Sequence, residues 1–346
     1  MNNLSSRAEY SRPLLFVRKH LFSFLLTALM IMLIYLKLDI KSMIEYLSKI
    51  PLYTIACLFL VTLAVYCLRI FRWRRIILKI SKANYLQLFP IFFSGGLINQ
   101  LTPGSKSGGQ PIRAYYLTKL NHKKYADNLA TTLFEFISGS FTSLMLLAFA
   151  FVYLSIRFPP KVYYSIMVFS SVAIITLSSA LYLAYRIAKK SPKKILSLLY
   201  KIKAIHKRYK TLKYFEHSML RQIREFFSET IIFFRYKRLI FEQMGIELLA
   251  YLLEFLNIYI LFIVMGVHVS FASIAVITII AEIIGFIFFS PGGVGVVEGT
   301  MIGLYYVSGI DPHVAAAVAI ITRAILYFYE FFVGYVSLIY IRNKYR

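Results

Sequence analysis

The sequence predicts an all-α polytopic membrane protein arranged as an inverted-topology repeat. Each repeat holds three spans and a re-entrant hairpin, giving six full spans and two hairpins, or eight segments by hydropathy alone. Three observations carry this. The 346-residue chain is 59% hydrophobic and only 16% charged, with mean hydropathy +0.67, more apolar surface than a soluble domain of this length needs. Two glycine–proline breaks interrupt apolar stretches, Thr102–Arg113 in the first half and Ser290–Gly299 in the second. Irregular backbone at membrane depth persists only where protein buries it or it lines a cavity, and a matched pair of breaks points to a transporter binding site. Finally, the basic residues cluster between the apolar segments, as the positive-inside rule requires.

A spanning helix needs about 20 mostly apolar residues. Span one is expected over about Leu21–Leu38; it lacks a small-residue cleavage site, so it reads as a retained helix and not a signal peptide. Span two covers about Leu52–Ile70 and holds both cysteines, Cys57 and Cys67. Ten residues apart, these lie roughly 80° off a common helical face and read as small buried hydrophobes. Tyr85–Leu101 is shorter and leads into the first break, after which Ile112–Leu120 resumes a helix. Span three is expected at about Asn128–Ile156 and span four at about Val162–Tyr185. Span five covers about Leu239–Val267. Phe271–Phe289 leads into the second break and Gly299–Ser308 resumes. The last span, about Pro312–Ile341, opens with Asp311-Pro312, a good N-cap followed by proline at the first helical position.

Charge sets the orientation. Arg7, Arg12, Arg18 and Lys19 place the N-terminus in the cytoplasm. Arg69, Arg72, Arg74, Arg75, Lys79 and Lys82 place the end of span two there too, and Lys119, Lys123 and Lys124 do so for the stretch after the first break. Both flanks of that break thus share one side, which makes it a hairpin entered from the cytoplasm. Residues 186–238 carry sixteen Lys/Arg against three Glu and read as a basic cytoplasmic linker with surface helices. Arg342, Lys344 and Arg346 place the C-terminus inside. With six spans, the second hairpin enters from outside; its flanks carry no Lys or Arg. The expected organisation is residues 1–185 as the first repeat with its hairpin at about 85–120, the 186–238 linker, and 239–346 as the remainder of the second repeat with its hairpin at about 271–309, all in one integral domain of the cell membrane. The formal charge of +25 would suggest nucleic acid in a soluble chain. Here no basic domain lies outside the spans, and anionic lipid headgroups are the expected partners. A homodimer is compatible with this reading.

The first break offers Gly104, Gly108 and Gly109 with Lys106 and Arg113 beside them. Glycine lets successive N–H groups turn inward into an anion-binding concavity. Gln110-Pro111 starts a helix whose positive end points there, and Arg113 can grip a phosphate with two N–H groups. The plainer reading is a hairpin needing glycine for close packing, with Arg113 snorkelling to the interface. The second break offers Gly292, Gly293, Gly295 and Gly299 with one acid, Glu298. Its cation is expected from Arg323 in the following span, with Glu298 or Glu330 as partner; a buried structural ion pair is the alternative. Glu135 stands 32 residues after Pro103, and Arg323 also stands 32 after Pro291. These equal offsets support the repeat and set opposite charges at equivalent sites, both expected to face a central cavity. Glu247, Glu254, Glu282 and Glu330 are further intramembrane acids suited to coupling or pairing. There is no Walker loop, His-Glu-x-x-His, nucleophile elbow or Asp-rich pair, and the six histidines lack ligand spacing. No catalytic residue, metal or cofactor is therefore expected.

The motif Thr102-Pro103-Gly104 with Gly108-Gly109, Arg113-Ala114-Tyr115-Tyr116-Leu117 and Glu135 resembles the first signature of the lysylphosphatidylglycerol synthase transmembrane-region family. Ser290-Pro291-Gly292-Gly293-Val294-Gly295, Glu298-Gly299 and Thr322-Arg323-Ala324-Ile325-Leu326-Tyr327 resemble its second. In the multiple peptide resistance factor this region is the flippase half, moving aminoacylated phosphatidylglycerol between leaflets. The resemblance thus implies lipid translocation. No aminoacyl-transferase domain accompanies the motifs here, so lysylphosphatidylglycerol is not implied as the substrate; some relatives are linked to polyprenyl-phosphate sugars. The expected function is a translocase for a phosphate-bearing lipid, passive or gradient-coupled. Alternatives are an integral-membrane lipid or glycan transferase and a non-catalytic membrane scaffold.

Overall fold

The computed structural model describes residues 50–102, 108–157, 235–287 and 291–345, together with Glu45, Tyr46, Ser48, Thr211 and Phe233. Spans one and four, the tip of the first break with Gly104 and Lys106, and nearly all of the 186–238 linker lie outside the described residues.

Among the described residues all regular structure is helical. The helices are α1 (Leu52–Ile77), α2 (Tyr85–Leu101), α3 (Gly109–Asn121), α4 (Tyr125–Arg157), α5 (Lys237–Val264), α6 (Phe271–Ile287), α7 (Val296–Val307), α8 (Pro312–Tyr327) and α9 (Gly334–Lys344). A 3₁₀ turn, Pro291–Gly293, precedes α7, and a π-helical turn, Phe328–Val333, joins α8 to α9. Among the described residues four stretches are long and apolar enough to cross a bilayer: Leu52–Ile77, Tyr125–Ile156, Lys237–Val264 and Pro312–Lys344. Their outer faces are greasy; Leu60, Phe149, Ile263 and Phe332 are each half or more exposed. In chain order α1 to α4 have 26, 17, 13 and 33 residues, and α5, α6 and α7 have 28, 17 and 12. The last span, α8 through α9, again has 33.

The chain divides into two compact units. The first comprises Met1–Arg69, Phe89–Ile112 and Leu249–Arg346; the second comprises Ile70–Leu88 and Arg113–Leu248. In the first unit α7 packs against α6 and α8. The first half of α8 is rich in small buried residues: Ala315, Ala316, Ala317 and Ala319 are fully buried, which lets helix backbones approach closely. An aromatic layer joins α1, α2 and the π turn, with the Tyr66 ring 4.9 Å from Phe93 and 5.3 Å from Tyr329. In the second unit Ile76, Ala130, Phe134, Phe233 and Leu239 form the core.

Local chemistry sets the helix ends. Asp311 Oδ1 accepts the His313 N–H at 2.7 Å with Pro312 at the first helical position, the cap expected from the sequence. Asn84 Oδ1 accepts the Leu86 N–H at 3.2 Å and starts α2. The turn between α3 and α4 is locked by a reciprocal amide pair. Asn121 Nδ2 donates to Asn128 Oδ1 at 2.8 Å and Asn128 Nδ2 donates back at 3.0 Å.

Two boundaries differ from the hydropathy reading. Helix α3 begins at Gly109, not near Ile112, because Asn99 Oδ1 accepts the Gly109 N–H at 2.7 Å and satisfies one orphan donor of its first turn. Helix α1 continues seven residues past Ile70, through arginines read as a cytoplasmic flank. Arg72 within it is only 5% exposed; acidic partners on other helices let the chain bury it.

Glycine at 109 is a matter of contact. A Cβ there would lie 2.2 Å from the Gly95 carbonyl oxygen, so only a hydrogen lets α2 and α3 touch. Gly109→Ala should therefore destabilise the protein by about 1–3 kcal/mol, read as a lowered unfolding midpoint in micelles. Gly245→Ala, with open space around the added methyl, should be neutral or slightly stabilising.

Candidate functional site

In the second unit four charged side chains form a buried chain. Arg113, one turn into α3, places Nη2 2.5 Å from Glu135 Oε2 on α4. Arg72 on α1 reaches the other carboxylate oxygen of Glu135 at 3.4 Å and Glu247 Oε2 on α5 at 2.8 Å. All four side chains are at most 8% exposed. Two positive and two negative charges balance, as a low-dielectric interior demands. The Arg113 guanidinium lies over the Trp73 ring at 4.0 Å, a desolvated cation–π contact, and Trp73 Nε1–H donates to Thr131 Oγ1 at 3.2 Å. Gly139 leaves room for Arg72, since a Cβ there would sit 3.1 Å from Nη1. Arg113 thus does not snorkel to an interface. Glu247 has an ion-pair partner, Arg72, which hydropathy had assigned to the flank.

In the first unit the second break is built around Glu298. Its Oε2 accepts the Gly295 N–H at 2.7 Å, closing the N-terminus of α7. Its Oε1 accepts from Arg323 Nε at 2.9 Å and from the Tyr327 hydroxyl at 3.1 Å, both on α8. Of the two acids offered as partners of Arg323, the structure selects Glu298. Arg323 Nη2 is buried and finds no hydrogen-bond partner among the described residues; it stands beside Gly293, 3.6 Å from where a Cβ would be.

Glu330, in the π turn, instead accepts from the Tyr66 hydroxyl at 3.2 Å and from Gln100 Nε2 at 2.5 Å. Gln100 is the next-to-last residue of α2, just ahead of the first break. Its Oε1 occupies the space a side chain at Gly292 would need, and Gly292 has φ +60°. Gln100 therefore touches the second break while bonding to the last span. Glu254 forms a two-pronged pair with Arg69, at 2.8 and 3.2 Å. Glu282 accepts from the Tyr251 hydroxyl at 3.2 Å. Gly108 packs on Thr102.

The two halves share a pairing rule. After the first break, a cation on the short helix (Arg113) pairs with an acid on the following long helix (Glu135). After the second, an acid on the short helix (Glu298) pairs with a cation on the following long helix (Arg323). The charges are reversed and the element roles are kept.

The family model described as the lysylphosphatidylglycerol synthase TM region matches residues 20–334. The chain belongs to that family. Among its relatives, a UPF0104 membrane protein of Methanothermobacter thermautotrophicus is 28% identical over 282 residues, covering 80% of this chain and 81% of the relative. UPF0104 membrane protein MJ1595 of Methanocaldococcus jannaschii is 26% identical, covering 79% and 80%. PH1989 of Pyrococcus horikoshii is 22% identical, covering 82% and 87%. With four helices among the described residues long and apolar enough to span, this makes the chain an integral membrane protein of the lysylphosphatidylglycerol synthase TM region family. The family match encloses both breaks and both acid–base clusters.

Sequence reasoning missed Arg72, Gln100, Asn99 and Trp73. Arg72 sits in a run of arginines where burial of one member carries no pattern. Gln100 and Asn99 form a tandem amide at the mouth of the first break, the one local signal available.

Two outcomes follow from this geometry. Arg72→Ala removes the buried ion-pair partner of Glu247 and the weaker of the two arginines on Glu135, and should cost about 3–5 kcal/mol in an unfolding titration; adding Glu247→Gln should recover part of the loss. Gly292→Ala should lower the unfolding midpoint less in a Gln100→Ala background than in wild type, because the clash is gone and only the φ strain of about 1–3 kcal/mol remains. Equal losses in both backgrounds would refute the contact.

Proposed function

We propose that this protein is a lipid translocase that moves a phosphate-bearing lipid between leaflets of the cell membrane. The observation that carries the reading is the charge-reversed pair following each break, Arg113–Glu135 and Glu298–Arg323. A lone buried arginine would be prohibitively costly in a membrane. An arginine resting on a carboxylate is neutralised until a phosphate competes for it, and phosphate accepts two guanidinium N–H groups as well as a carboxylate does.

On this reading the first break takes the headgroup from the cytoplasmic side. Gly108 and Gly109 flank its approach, Gly104 and Lys106 are assigned to it from the sequence alone, and Arg113 exchanges Glu135 for phosphate. The second break, with Gly292, Gly293, Glu298 and Arg323, handles the headgroup on the outward part of the path. The unspent Nη2 of Arg323 is the donor ready for it. The acyl or prenyl tails stay in lipid throughout. Glu247, Glu254, Glu282 and Glu330 hold the helices in register and supply sites where proton uptake can couple to movement.

The matched helix lengths of the two halves support a repeat; the positive-inside pattern of the sequence makes it an inverted one, residues 1–185 and 239–346 joined by the basic 186–238 linker, with both termini in the cytoplasm. The fold is then two re-entrant hairpins, at about 85–120 and 271–309, held among full spans.

Reconstitution into liposomes with headgroup-labelled phospholipids tests the proposal. Wild type should speed exchange between leaflets. Arg113→Ala and Arg323→Ala should each slow it at least tenfold (about 1.4 kcal/mol) while keeping the wild-type elution profile. A new lipid product in the same vesicles, found by mass spectrometry, would make the protein a transferase. Exchange indifferent to both arginines would leave the breaks as packing devices of a scaffold.

A further inference from the structure

Away from the breaks, the first unit contains a small cavity where three long helices meet. It is lined by Leu58 and Thr62 of α1, Asn257 and Leu261 of α5, and Thr322 and Ile325 of α8, and its volume is about 20 Å³. One water molecule needs at least about 10–15 Å³ on this measure and two to four polar partners.

The hydrogen bonds of the lining determine what fits. Asn257 is 8% exposed. Its Nδ2 donates to the Leu58 carbonyl at 3.3 Å and to Thr62 Oγ1 at 2.9 Å. A carbonyl can only accept, so the amide cannot be flipped. The Thr62 hydroxyl donates to the Leu58 carbonyl at 2.8 Å, and the Thr322 hydroxyl donates to the Val318 carbonyl at 2.7 Å. Every polar hydrogen of Asn257, Thr62 and Thr322 is thus committed. What remains are lone pairs: those of the Thr322 hydroxyl, the second one of Thr62, and those of Asn257 Oδ1, which is buried with no hydrogen-bond partner among the described residues. A buried, unsatisfied amide oxygen costs about 1–3 kcal/mol.

The occupant must therefore bring hydrogens or positive charge, and it must be the size of one water. A cation is disfavoured on two grounds: the lining holds no carboxylate, and the residue after Thr322 is Arg323, whose charge would oppose it. We infer that the cavity holds one ordered water that donates to Asn257 Oδ1 and to a threonine hydroxyl. The water joins α1, α5 and α8 one residue ahead of Arg323. It does not depend on the translocase reading, since nothing in its chemistry involves a lipid.

The test is a nanodisc structure at a resolution that shows ordered water, paired with unfolding midpoints. A density peak about 2.7–3.2 Å from Asn257 Oδ1 and Thr322 Oγ1 is expected, and it should vanish in Asn257→Leu. No peak, with comparably buried waters visible elsewhere, would overturn the inference. Thr322→Val changes little but the hydroxyl, so it folds even if Asn257→Leu does not. It should lower the midpoint by a few degrees. The two substitutions together should cost less than their separate losses combined, because either one evicts the same water. Strict additivity would count against a shared ligand. Midpoints should be equal in sodium and choline chloride; a sodium-specific stabilisation lost in Asn257→Leu would make the occupant a cation and reject water.

Discussion

Neutralising charge inside a medium that cannot solvate it is the constraint on which this fold rests. Moving an isolated ion into a low-dielectric interior costs many kcal/mol. The described helices nevertheless carry Arg69, Arg72, Arg113 and Arg323. Each is matched by a carboxylate from a different helix: Glu254, Glu247 with Glu135, Glu135, and Glu298. Such pairs add little net stability, yet separating them is expensive, so they determine which helices are neighbours. Arg69–Glu254 joins α1 to α5 within the first unit, and Arg72–Glu247 joins them within the second. Greasy surfaces alone would let these helices slide, because lipid competes equally for apolar contact.

Close backbone approach is the second determinant, and it follows from the first. Short ion pairs need helices near one another. Gly109 against Gly95, Gly139 against Arg72 and the buried alanines of α8 supply that nearness. The glycines that look like a ligand cradle in the sequence therefore also do structural work. Gly109 is spent on touching α2, and its N–H is taken by Asn99.

Much of this was legible in the sequence, because the signals were local or periodic. Apolar runs gave the long helices, and Asp311-Pro312 gave the start of α8. The equal 32-residue offsets drew attention to Glu135 and Arg323 before their pairing was visible. What escaped depends on three-dimensional neighbours. Four arginines within α1 look alike in one dimension; only the approach of α4 and α5 separates Arg72, fully buried, from Arg75, which meets Glu242 at the surface. Gln100 carries no charge and no motif. Its importance comes from lying between Glu330 and Gly292, residues some 190 and more positions away. Asn257 is similar: an amide in an apolar helix signals a partner but not which one.

The π turn at Phe328–Val333 has one more implication. There the Gly334 N–H reaches back five residues to the Tyr329 carbonyl instead of four, so the last span stores one surplus residue in its winding. An α-helix advances 100° per residue. Rewinding that turn into regular helix would rotate the C-terminal segment α9 by about that angle relative to α8, like a screw advanced by a quarter turn, with no hinge and no broken span. Glu330 sits inside the surplus, and Gly334, pressed against the Phe93 carbonyl and Leu97, marks where the thread bites α2. The span is thus wound slack at the one place where it grips the helix that leads into the first break.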